Sequence, residues 1–243
     1  MLKAGWLTLA FGLARLAGAE AQEAPPFRPE PLSPFAQAKA EALLRDRLPC
    51  LGCHRLDDEG GTIGPDLSAV GARRSASFIY AMIADPVRSW PGTLMPKTPM
   101  PAAWARLVAS YLAGRSEAAG AAEAAEAAGM TGAAGAGIPL PEIDDPAALY
   151  ARACAACHGE HGGGDGANVR YLPVRPTAHA DSAYLSTRPD DTLFDGIYGG
   201  GYILNKSHRM PAFGLTLSRE QILGLVAYLR ELCRCQGPGW SRP

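Results

Sequence analysis

Two five-residue segments carry the chemistry of this chain, Cys50-Leu51-Gly52-Cys53-His54 and Cys154-Ala155-Ala156-Cys157-His158. With six Cys and five His among 243 residues, chance places Cys at i+3 and His at i+4 of a given cysteine about 5×10⁻⁴ of the time. Two occurrences are therefore a pattern. Thiols at this spacing reach the two vinyl groups of one porphyrin, and the adjacent imidazole rises to its iron from the same face. The physical reading is covalent haem attachment, twice. A structural zinc site would need four tetrahedral ligands, and neither half supplies a second close Cys or His pair at a recognised spacing. A thioredoxin-like dithiol would want a strand before the motif, and the sequence shows none.

The elements that position these motifs follow one plan in both halves. Ser33-Pro34 and Asp145-Pro146 each put a capping residue before a proline at the first helical position, so each half is predicted to open with a helix. A middle helix follows from Phe78, Ile79, Met82 and Ile83, ending before Asp85-Pro86; Leu193, Phe194 and Ile197 match it, ending at Gly199-Gly200. The last helix of each half has the clearest stripe: Trp104, Leu107, Val108, Tyr111 and Leu112 in one, Ile222, Leu225, Val226, Leu229 and Leu232 in the other. The second is opened by a Ser218…Gln221 capping box. No alternating pattern of useful length marks a strand, so the fold class is all-α.

Composition agrees with two small domains and a connector. Gly114 to Gly137 holds 11 Ala and 6 Gly in 24 residues, with no large apolar face to bury, and reads as a linker. The start, Met1-Leu2-Lys3 followed by an apolar run from Ala4 to Ala14 and then small residues, reads as a secretory signal; an uncleaved N-terminal anchor is its alternative. That run is too short for a span of about 20 residues, and no later segment reads as transmembrane. The expected parts are a signal at 1–21, a Pro-rich lead at 22–33, domain 1 at 34–114, a linker at 115–141, domain 2 at 142–235 and a tail at 236–243. The mature chain is expected in the periplasm or another exported space. A net charge of −1 leaves no footprint for a phosphate backbone, which excludes nucleic acid as a partner. Domain 1 has nine basic against seven acidic side chains, and domain 2 nine against eleven.

On these motifs each half resembles a class I cytochrome c domain, a small all-α fold wrapped around one haem c. The resemblance implies two covalent haems c, attached through Cys50 and Cys53 and through Cys154 and Cys157, with His54 and His158 as proximal iron ligands. It further implies a proline carbonyl orienting each proximal ring. Gly64-Pro65-Asp66-Leu67 supplies Pro65 for His54, while Pro173 and Pro176 are the candidates for His158. The sixth ligand in the family is a Met in a Met-Pro step before the last helix. Met210-Pro211 fits in the second half, with His208 as its alternative; in the first, Met95-Pro96 and Met100-Pro101 both fit, and the longer approach to Tyr111 favours Met95. His/Met ligation leaves the iron no open position, so the resemblance implies one-electron transfer between redox-partner proteins. The chain would be a free carrier or an electron-transfer subunit of a respiratory-type complex, more plausibly than an enzyme. The alternative is a dihaem enzyme such as a peroxidase or a thiosulfate-oxidising cytochrome, which would require an open or unusual distal site.

Other residues read as structural. His161 and His179 are expected to be solvated or bonded to loops or haem propionates, Arg73-Arg74 to be a solvated pair, with a haem propionate or an acidic partner as the alternative, and Trp90 and Trp104 to line the first haem pocket. Cys233 and Cys235, one residue apart near a helix end, read as poorly placed to bridge each other, which leaves free thiols, with an intermolecular disulfide or a second metal site as the alternative.

Overall fold

The computed structural model describes residues 26–115 and 143–241. The expected signal and, beyond Arg115, the expected linker lie outside the described residues.

The N-terminal half begins with α1 (Pro34–Asp46), where the Ser33 hydroxyl accepts the Ala36 N–H at 3.2 Å and Pro34 sits in the first turn. A single turn, α2 (Cys50–Cys53), carries the first pair of thiols. It leads into a two-stranded antiparallel hairpin, β1 (Arg55–Leu56) with β2 (Glu59–Gly60), turned through Asp57 at φ 58°. Strands of two residues carry no alternation, which is why the sequence reads as purely helical there. Then come α3 (Val70–Arg73), α4 (Ala76–Ala84, capped by Ser75), α5 (Pro86–Ser89) and α6 (Ala102–Ala113). Helices α1 and α4 both pack on α6. Their apolar faces meet in a core of Leu43, Leu44, Leu48, Leu51, Leu56, Ile79, Val108 and Leu112. Each fully buried Leu in it stabilises the fold by about 1.5–3 kcal/mol.

The C-terminal half repeats the plan. Helix α7 (Pro146–Ala153) starts at Asp145, whose carboxylate accepts the N–H groups of Ala147 and Ala148. Next are α8 (Ala155–His158), α9 (Ser182–Leu185), α10 (Asp190–Gly199) and α11 (Arg219–Cys233). The Ser218–Gln221 capping box is formed in full. Helices α7 and α10 pack on α11 around Leu149, Tyr150, Ile197, Phe213, Leu217, Ile222, Leu225 and Leu229. Among the described residues no helix is long and apolar enough to cross a membrane.

One expectation is corrected at the end of α11: Cys233 and Cys235 are bridged by a disulfide, not free. Arg234 takes a left-handed conformation at φ 50°, which ends the helix and folds the chain back. The two Cα atoms then lie 5.1 Å apart, a separation that a disulfide spans.

Candidate functional site

In the first motif the one-turn helix α2 puts Cys50 and Cys53 on one side, three residues apart, and the chain leaves the helix in an extended conformation at His54. The His54 Nδ1 lies 2.8 Å from the Pro65 carbonyl oxygen. A carbonyl only accepts, so Nδ1 holds the ring proton and Nε2 keeps its lone pair for a metal. The face of the ring is kept clear by Gly64, where a Cβ would stand 2.5 Å from His54 Cε1.

The second motif is built alike from a different loop. Cys154 closes α7, its N–H donating to Tyr150 at 2.8 Å, and α8 carries Cys157 and His158. The His158 Nδ1 meets the carbonyl of Thr177 at 3.0 Å, so the acceptor is the residue after Pro176 and neither Pro173 nor Pro176 itself. His179 stacks on His158 with ring centroids 4.0 Å apart and planes 12° from parallel, and its Nδ1 is 3.1 Å from the Tyr150 hydroxyl. It is therefore a ring packed against His158 and not a solvated one. His161 is exposed, as expected.

The surroundings keep these groups uncharged. Burial pushes the Cys50 thiol up to about 11 and the Cys154 thiol up to about 12. Burial, with Cys157 and Cys50 as neighbours, takes Cys53 up to about 12. Burial also holds the His54 and His158 imidazoles below their ordinary value, against the hydrogen bonds to Pro65 and Thr177. Neutral imidazole is the form that ligates iron.

The methionines occupy distinct places. Met210 is held through its backbone, its N–H donating to Ser207 at 3.2 Å and its carbonyl accepting from Gly201 at 3.1 Å. Met95 lies in the irregular segment between α5 and α6, its N–H donating to the Thr93 hydroxyl at 3.2 Å. Met100 packs against the first core and lines a cavity of about 250 Å³ with Tyr80, Ile83 and Leu215. Of the other candidates, Trp104 packs on the first core, while Trp90 is half exposed and meets Phe78 edge-on. Arg74 is exposed, its guanidinium over the Phe78 ring at 5.4 Å, while the half-buried Arg73 donates to the Asp66 carbonyl.

Residues 141–229 match the family described as Cytochrome C oxidase, cbb3-type, subunit III. This part of the chain is a cytochrome c domain. Such a domain implies electron transfer through at least one covalent haem c. The match ends short of the N-terminal half, and neither a curated protein nor a solved structure matches the chain.

The cytochrome c domain is docked on the N-terminal half, and the contact runs through the two motifs. Asn168, 2% exposed, donates from Nδ2 to the Gly52 carbonyl at 2.7 Å and towards Cys157 Sγ at 3.4 Å, while its Oδ1 accepts the Thr62 N–H at 3.1 Å. Beside it, Glu59 is gripped by both Arg45 and Arg209, and His208 Nε2 donates to the Arg45 carbonyl at 2.9 Å. Arg209, next to Met210, is buried, and its Nε and Nη1 have no hydrogen-bond partner. These are donors of the kind that a haem carboxylate accepts. Paired thiols, oriented imidazoles, the cleared ring face and the two N–H donors that Arg209 keeps beyond its ion pair with Glu59 together fit haem c. Sequence reasoning missed Asn168 and Arg209: both lie near predicted site residues, but single polar side chains carry no periodic or motif signal.

Proposed function

We propose that the chain is an exported dihaem cytochrome c that passes single electrons between redox-partner proteins. Cys50, Cys53 and His54 hold one haem c, and Cys154, Cys157 and His158 hold the other. Met95 and Met210 are the sixth ligands. The observation that carries this reading is that both proximal imidazoles turn Nδ1 to a backbone carbonyl, which leaves Nε2 of each unprotonated beside a pair of cysteines. Haem c held by His54 and Met95 in one site and by His158 and Met210 in the other would supply an iron(II)/iron(III) couple.

The residues of the chain do the rest. The carbonyls of Pro65 and Thr177 raise the basicity of their imidazoles and fix ring orientation. The apolar cores around both motifs disfavour the extra positive charge of the oxidised state, and neutral Met thioethers act in the same direction. Because the C-terminal domain matches a family of oxidase subunits, a respiratory-type complex is the favoured setting over a free carrier.

The test is the haem content of the exported, purified chain after denaturation and acid–organic extraction, read by pyridine haemochrome and intact mass. Two retained haems per chain are expected, and one in the Cys50→Ala/Cys53→Ala variant. A single haem in the unaltered chain would refute the dihaem reading, and none would refute covalent attachment.

A further inference from the structure

We propose that Asn168 is a positioning residue that clasps the two Cys-x-x-Cys-His segments together, so that the two halves work as one rigid two-centre unit instead of two beads on a linker. The two-centre part rests on the dihaem reading above.

The geometry supports a clasp in both directions. Asn168 is tied to the second motif: its own N–H donates to the Ala156 carbonyl at 2.9 Å, and the Gly166 N–H donates to the Cys157 carbonyl at 3.2 Å. Its side chain leaves that motif and enters the first. There it takes the carbonyl of Gly52, which stands between Cys50 and Cys53, and the N–H of Thr62. Both amide hydrogens and one oxygen lone pair are engaged, and the second hydrogen points to the sulfur of Cys157. A cysteine sulfur bonded to a vinyl group becomes a thioether, which still accepts weakly. The clasp is thus compatible with haem attachment.

The surfaces leave no slack around this amide. A Cβ at Gly61 would come within 2.7 Å of Asn168 Oδ1, and one at Gly52 within 2.2 Å of the Arg209 carbonyl oxygen. A buried amide costs free energy unless it is satisfied, so it is tolerated only in one docking geometry. An apolar side chain of similar size would hold the halves together with less directional preference. Satisfied polar networks rigidify what they join. Arg45, Glu59, Arg209 and His208 make a second set of contacts beside the first. Fixed contact replaces the effective concentration on the order of mM that a flexible linker would give.

The test uses the full-length, haem-loaded protein and its Asn168→Leu variant. Leu leaves the Gly52 carbonyl and the Thr62 N–H without partners. Leu149→Ala, a cavity variant inside the C-terminal core and away from the clasp, is the control for loss of stability alone. Haem content is measured first, then the radius of gyration by small-angle X-ray scattering, then the potentiometric titration of each centre. With haem content unchanged, Asn168→Leu is expected to expand the particle and to make the two centres titrate independently, whereas Leu149→Ala stays compact and coupled. A compact Asn168→Leu protein whose centres titrate as in the unaltered chain would overturn the clasp, as would equal expansion in both variants. If the unaltered chain holds one haem, the dihaem reading fails by itself, and the scattering comparison still decides the clasp.

Discussion

The two halves solve one problem with different lengths of chain. In the N-terminal half the carbonyl that orients His54 comes from Pro65, 11 residues on, and in the C-terminal domain the one that orients His158 comes from Thr177, 19 residues on. The short route is made by the β1–β2 hairpin, which turns the backbone within four residues of the motif. The long route is a glycine-rich loop, in which Gly159, Gly162 and Gly164 take positive φ and the chain returns with His179 against the His158 ring. What the two routes share is an oxygen at 2.8–3.0 Å from Nδ1. The acceptor is backbone, so the residue type that provides it is free to differ.

The comparison breaks most sharply at Met95 and Met210, the proposed sixth ligands. Met210→Ala should abolish the near-infrared sulfur-to-iron charge-transfer band of the C-terminal centre and lower its potential, because a thioether that favours the reduced iron is removed. Met95→Ala should do the same to the N-terminal centre, and Met100→Ala should leave that band in place. Loss of the band in Met100→Ala but not in Met95→Ala would exchange their roles.

The next effect is on the cores. Leu44→Ala in the first and Leu225→Ala in the second each remove a side chain at most 1% exposed, so each should cost about 2–5 kcal/mol. Calorimetry distinguishes how the halves share that cost. If docking makes them one cooperative unit, either substitution lowers the melting of both halves. Separate transitions, only one of which moves, would show that the halves fold independently.

The smallest effect concerns pH at the contact between the halves. Burial works to raise the Glu59 carboxyl, but its hydrogen bonds with Arg45 and Arg209 outweigh burial and hold it below the ordinary 4.5. A depressed carboxylate contributes stability that is fully present above its undocked value and lost as pH falls through its docked one. Arg45 belongs to the same half as Glu59 and stays with it on undocking, so only the Arg209 share is linked to docking: the halves should stay docked at neutral pH and loosen at a pH below the ordinary 4.5. Glu59→Gln should remove this part of the acid dependence, and scattering between pH 7 and pH 3 checks it. An unaltered acid profile in Glu59→Gln would assign the transition to other carboxylates.

The sequence by itself determined what depends on neighbours along the chain. Cysteines and histidine at fixed spacing define the two motifs. Ser33, Asp145 and Ser218 cap helices because a cap needs only the next three residues, and stripes at helical period define α6 and α11. Only the tertiary structure decided which carbonyl meets His158, since any backbone oxygen brought near is equivalent. It also decided that Cys233 and Cys235 are bonded, because the left-handed turn at Arg234 is a backbone conformation that residue type rarely announces. The docking of the halves came from neither spacing nor period. The Asn168 contacts join residues 106 and 116 positions apart, and such partners are chosen by where two independently formed surfaces meet.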